Sequence, residues 1–231
     1  MSKSDYIVER FEHNGHRISI YTDQVPESPR EWDNLGTMAC WHSRYNLGDE
    51  QPAESYREWI RYLAANTVGA DDPDAIPDEH VERILDKHFV MLSLYLYDHS
   101  GITMNTSGFS CPWDSGQVGV IYVSRNKIIE EYGDDTVESR EKAEKCLRQE
   151  VETYDDYLTG SVYGYEVEKH VDADCDEGDE CDDDDCAHWE HVDSCWGFYG
   201  LDYCKEQANE CCEPHQLESD VKSCESTATA R

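Results

Sequence analysis

The sequence predicts an α+β protein, helices packed on a mostly antiparallel sheet. Two observations carry that expectation. β-branched and aromatic runs come in neighbouring pairs joined by turn residues, the signature of antiparallel strands. Longer segments between them repeat apolar residues at helical spacing with capping residues at their ends.

In chain order, Asn14-Gly15 separates two β-leaning runs, Tyr6 to Phe11 and Arg17 to Thr22, so a hairpin with a primed turn is expected there. Asp33 to Gly36 reads as a second turn, and TMACWHSRY after it as a short buried piece. Glu54 to Ala65 fits a helix with Trp59, Ile60 and Leu63 on one side. Pro77 precedes DEHVERILDKH, a helix that Asp78 is placed to cap and whose apolar stripe is Val81, Ile84 and Leu85. FVMLSLYLYDH from Phe89 and VGVIYVS from Val118 are continuous enough in apolar character to be central strands, joined by a long loop.

Ser124 caps a short helix, RNKIIEEYG. A long helix follows from Asp135, with a capping-box spacing of Asp135 and Glu138, a buried face of Leu147, Val151, Tyr154 and Leu158, and Gly160 as its stop. SVYGYEVEKHV and HVDSCWGFYG read as a strand and its antiparallel return. A last helix, LDYCKEQANECCE, ends before Pro214. The expected organisation is one domain over residues 1–213, carrying an acidic Cys/His hairpin insertion at 172–193, then a disordered tail at 214–231.

Charge is the strongest compositional feature. The 231 residues carry 52 acids against 19 bases, a net charge of -33. Residues 172–190 hold 11 of those acids and no base, so 41 acids against 19 bases remain elsewhere, a balance of -22. Acidity spread in this way suits a chain kept soluble in concentrated salt, where self-repulsion is screened. A mimic of DNA that inhibits a host nucleic-acid-binding protein is the competing reading, but it calls for a concentrated acidic stripe. Direct nucleic-acid binding is not expected, because no basic patch exists to displace counterions. The N-terminus lacks the apolar core of a signal peptide and no segment reaches membrane-spanning length, so an intracellular, cytoplasmic protein is expected. In a reducing compartment, 11 cysteines point to metal ligation or free thiols before disulfides.

The segments LYLYDHSGITMNTSGFSCPWDSGQVGVIYVS, EVETYDDYLTGSVYGYEVEK and DSCWGFYG resemble a family of uncharacterised proteins of phages, plasmids and integrated elements of bacteria and archaea, over about Asp33 to Gly200. The resemblance carries no activity with it. The acidic Cys stretch and the Cys-rich last helix fall outside the shared pattern. Together with the charge, the resemblance implies a haloarchaeal or halovirus member.

Two constellations are candidates for chemistry. The loop between the central strands, Asp98 to Gln117, gathers Cys111, His99, Asp98 and Asp114, the residue types of a Cys/His hydrolase: a thiol nucleophile, an imidazole base and a carboxylate to orient it. The same loop also reads as turn punctuation, with Gly101, Gly108, Pro112 and Gly116, and Trp113 as a plug of the core. The second constellation is CDEGDECDDDDCAHWEHVDSC, where Cys175, Cys181, Cys186, His188, His191 and Cys195 supply the donors of a zinc site, although no C-x2-C pair is present. A disulfide clip and an acidic excursion with incidental thiols are its alternatives. SCWGF superficially resembles the nucleophile segment of papain-like proteases, but Cys195 comes late in the chain and Trp196 and Phe198 suit a core. Cys204 and Cys211 share a face of the last helix. Carboxylate pairs such as Glu150 with Glu152 and Asp155 with Asp156 are to be expected by abundance alone. The functional expectation is a non-enzymatic accessory or interaction protein of a mobile element acting on a host protein, with the hydrolase and the DNA mimic as alternatives.

Overall fold

The computed structural model describes residues 6–171 and 188–212. The α+β class and the antiparallel pairing stand, but the strands sort into two four-stranded sheets, ordered β1-β2-β7-β8 and β3-β6-β4-β5. Each sheet belongs to its own compact unit, one formed by the described residues up to Gln24 together with those from Val162 to Cys212, the other by Val25–Ser161.

In the first unit, β1 (Ile7–His13) and β2 (His16–Thr22) form the expected hairpin. Its turn residues Asn14 and Gly15 have φ of 48° and 75°, the primed geometry that follows the twist of the flanking strands. β2 pairs with β7 (Val162–Val171), and β7 with β8 (His188–Tyr199), both antiparallel. A helix that we number α5 (Leu201–Cys211) covers one face. There Ile18, Ile20, Tyr165 and Val167 meet Cys204, Ala208 and Cys212 in a closed core. Phe198 packs against this core, as expected of it. Trp196 does not: a bulge at Gly197 (φ 84°) turns it to the opposite face, where it lies 5.8 Å from the Tyr21 ring and over Gly164.

The second unit is built on β6 (Ser115–Ser124), flanked by β3 (Thr37–Cys40) and β4 (Phe89–Asp98), with β5 (Ile102–Asn105) beyond β4. α4 (Val137–Thr159) lays Ala143, Leu147, Val151 and Tyr154 on this sheet against Met38, Leu94, Met104 and Ile121. α1 (Tyr56–Val68) and α2 (Asp78–His88) close a smaller core of Ala64, Ala65, Ile76, Val81 and Leu85. α3 (Arg125–Tyr132) starts at the Ser124 cap and stops at Gly133, φ 85°.

Helix starts show where local chemistry overrode sequence spacing. α1 begins at Tyr56 because Ser55 and Glu58 form a complete reciprocal capping box. α2 has Pro77 at its cap with no side-chain bond, since the Asp78 carboxylate pairs instead with Arg57 and Arg61. α4 is capped by Thr136, whose hydroxyl accepts from the Ser139 amide, and not by Asp135. Two arginines draw that carboxylate away: Arg125 lies 3.0 Å and Arg140 2.7 Å from it. Gly160 ends α4 in the left-handed region, as expected.

Candidate functional site

The segment expected as one loop, Asp98 to Gln117, is only partly loop. Residues 102–105 fold back as β5 on β4, through a tight turn with Ser100 at φ 60° and Gly101 at φ 154°. The following stretch is tied down locally: Asn105 Oδ1 accepts from the amides of Ser107 (3.1 Å) and Gly108 (2.7 Å), and the Phe109 ring rests 5.6 Å from that of Tyr97. β6 starts at Ser115, whose hydroxyl donates to the Cys111 carbonyl.

This scaffold brings Asp98 and Asp114 side by side, the Asp98 amide donating to the Asp114 carbonyl at 2.8 Å. Their side chains part. Asp98 pairs with the Arg44 guanidinium and accepts from the Tyr45 hydroxyl at 3.4 Å. Asp114 Oδ2 receives two groups, His99 Nδ1 at 3.4 Å and the Cys111 thiol at 3.7 Å. The four expected residues are therefore neighbours, but in an order that differs from a nucleophile-base-orienter chain. Thiol and imidazole share one carboxylate oxygen, and among the described residues no hydrogen bond joins Cys111 to His99.

Two residues that line the site, His42 and Arg44, come from the segment TMACWHSRY. β3 pairs with β6 through Cys40 opposite Gly119, and the Trp41 amide donates to the Val118 carbonyl at 2.7 Å. The chain then turns over the sheet. His42 Nδ1 accepts from the amides of Arg44 (3.3 Å) and Tyr45 (3.2 Å), which places the ring hydrogen on Nε2, and the ring stacks on Tyr45 at 5.0 Å. His42, Arg44, Leu96, Asp98, Trp113 and Asp114 line a cleft of about 330 Å³. Neither Cys111 nor His99 is part of that lining. Trp113 is 92 % exposed, so it is no core plug.

Val118 is the extra residue of a bulge between β6 and β4, and it also lines a second cleft of about 190 Å³ with Trp41, Tyr56, Gln117 and Gly119. The Trp41 ring meets Tyr56 and Trp59 edge-on, each at 5.4 Å, and its Nε1 donates to the Glu54 carbonyl at 2.7 Å.

The zinc expectation falls largely outside the described residues, which exclude Cys175, Cys181 and Cys186. His188, His191 and Cys195 all lie on β8. His188 is 3.3 Å from Glu190, while Trp189 stacks under the Arg17 guanidinium at 4.5 Å on the other face, the face that alternation gives to His191. The two histidines therefore point to opposite sides of the strand. Among the described residues, no three His, Cys, Asp or Glu side chains converge on a point that would hold a metal ion.

The carboxylates of α4 have architectural work. Glu150 accepts from the Leu35 and Gly36 amides at 2.8 and 3.0 Å and pairs with Arg30 at 2.9 Å. Asp155 accepts from the Thr103 hydroxyl (2.8 Å) and the Met104 amide (2.7 Å), fastening β5 to the helix. Burial, with Asp155 and Glu152 adding repulsion, pushes the Asp156 carboxyl above the ordinary range.

No described helix is long and apolar enough to cross a membrane. Comparison with protein-family models, with curated proteins and with solved structures finds no match.

Proposed function

We propose that the chain is a non-enzymatic accessory or interaction protein whose docking point for a partner protein is the cleft flanked by Trp113 and Arg44. The observation that carries this reading is the exposed indole of Trp113, standing beside a guanidinium that is itself 66 % exposed. Tryptophan and arginine are the residue types that dominate binding energy at protein interfaces when a partner desolvates them. The two adjoining clefts give such a partner room for a second anchor. The resemblance to proteins of mobile elements makes a host protein in the cytoplasm the partner class. The Cys/His hydrolase finds less support, because thiol and imidazole meet only through Asp114 and neither opens on the cleft.

A photo-crosslinking residue placed at 113 in the cell that makes the protein tests the reading. It should yield one dominant adduct, lost with Arg44→Ala and absent when the probe is placed at Val25, another position that is 88 % exposed. With the partner in hand, Trp113→Ala should weaken binding about 30-fold, the equivalent of about 2 kcal/mol. A hydrolytic activity that Cys111→Ala abolishes without unfolding the protein would replace the docking reading with the enzymatic one.

We also propose that the chain is adapted to concentrated salt, on the support of its net charge of -33. Two carboxylates about 8 Å apart repel by about 0.5 kcal/mol in water. Screening reduces that to roughly a half at 0.1 M salt and to under a tenth at 1 M. Every ten such pairs then gain about 2 kcal/mol on going from low to high salt. Urea unfolding at 0.1 and 2 M KCl should show stability rising by at least that amount, and equal midpoints at the two concentrations would rule the adaptation out.

A further inference from the structure

Two cysteines that the proposed docking site does not use neighbour Tyr165. The Tyr165 hydroxyl is 2.9 Å from Cys211 Sγ on α5, and the same sulfur donates to Asp193 Oδ2 at 3.5 Å. Asp193 and Cys195 are alternate residues of β8 and so share a face, and Cys195 is the register partner of Tyr165. Cys195 is thus held on the face where α5 sets Cys211. Both are free thiols, Cys195 exposed and Cys211 half-buried. The other sulfurs of α5 belong to the core. Cys204 is 0 % exposed, and burial, with the nearby Cys195 charge adding to it, pushes its thiol up to about 12; Cys212 is also buried.

We propose that Cys195 and Cys211 are a thiol–disulfide exchange pair that takes a small-molecule disulfide as its oxidant and closes a β8–α5 disulfide. Cys195 is the attacking group because it is the exposed one. Its thiolate attacks one sulfur of the small disulfide, forming a mixed disulfide and releasing one small thiolate, which takes up the proton lost from Cys195. The Cys211 sulfur then attacks the Cys195 sulfur. The mixed bond breaks, the second small thiolate leaves with the proton from Cys211, and the protein disulfide remains. Two protein thiols are oxidised and one small disulfide is reduced to two thiols. A metal would demand a further donor, and no group of three converges among the described residues, whereas a disulfide needs only these two sulfurs.

The test uses the full chain, reduced, desalted and incubated with oxidised glutathione, then blocked with N-ethylmaleimide and digested. Trypsin cuts at Lys205 and chymotrypsin at Tyr199, so Cys195 and Cys211 travel together only if they are bonded. The expected product is a Cys195–Cys211 linked peptide, reversed by dithiothreitol, with Cys204 unmodified. In Cys211→Ser, Cys195 should stop at the glutathione mixed disulfide. The mapping of the unmutated chain decides the matter even if that variant folds poorly. Recovery of Cys195 and Cys211 as separately alkylated or separately glutathionylated residues would overturn the proposal. So would a bond from Cys195 to any other cysteine, or stoichiometric zinc that protects Cys195 until it is chelated.

Discussion

Arg30→Met is expected to destabilise the protein by about 4 kcal/mol, because it strips the shared cation from two inward-facing carboxylates. Arg30 is only 6 % exposed at its side chain, and its partners Glu150 and Asp49 are 10 % and 24 % exposed. The fork is fully used: Nε and one terminal nitrogen bind Asp49 at 3.0 and 2.6 Å, the other binds Glu150 at 2.9 Å, and a further bond reaches the Gly36 carbonyl at 2.8 Å. Burial alone would lower the guanidinium pKa, but the hydrogen bonds and charges of Asp49 and Glu150 outweigh it and hold Arg30 above its ordinary value. Methionine matches the length of the arginine stem and leaves both carboxylates facing each other. Arg30→Lys keeps one charge without the planar fork and should lose roughly half as much. Urea unfolding at fixed salt measures both. A loss under about 1 kcal/mol for the methionine variant would mean that the carboxylates find solvent, and that the pin is ornamental.

That pin also shows why sequence reading stops where it does. Features set by a few adjacent residues were legible: the Asn14-Gly15 turn, the Ser124 cap, the Gly160 stop, and the Leu147, Val151, Tyr154 stripe of α4. Each depends on local dihedrals or on helical spacing. Asp49 and Glu150, by contrast, are two acids among 52, and nothing nearby in sequence marks them as partners of Arg30. The division into two sheets was hidden for the same reason. β2 finds β7 and β3 finds β6 across long separations, and apolar strands carry no label saying which partner they take. β5 was missed because four residues, ITMN, are too short to show alternation. At the candidate site, Asp98, His99, Cys111 and Asp114 were recognisable as reactive types in one loop. The residues that make the cleft, His42 and Arg44, arrive only through the β3–β6 pairing. Trp113 was legible as a tryptophan but not as an exposed one, since composition says nothing of which way a loop faces.

Gly119→Ala should cost about 3 kcal/mol and disturb the cleft along with the core. Gly119 sits in the middle strand of the second sheet, opposite Cys40 on one side and Leu94 on the other. A Cβ there would stand 2.4 Å from the Ala39 carbonyl oxygen and 3.0 Å from the Cys40 Cα. These are backbone atoms of the neighbouring strand, so no rotamer change relieves the clash. β3 has to move off β6, at the upper end of the usual cost of overpacking. The movement would reach function through the next residue. Val118 is the bulge that lines both clefts, and its carbonyl holds Trp41, after which the chain carries His42 and Arg44 into place. A variant that remains folded should therefore lose partner capture at the 113 probe position more completely than its stability loss explains. Gly116→Ala is the control: it lies three residues earlier in the same strand and itself lines the docking cleft, and a Cβ there meets no atom within 4 Å. Equal stability and equal capture for the two variants would show that the close approach of β3 to β6 contributes nothing to holding the site.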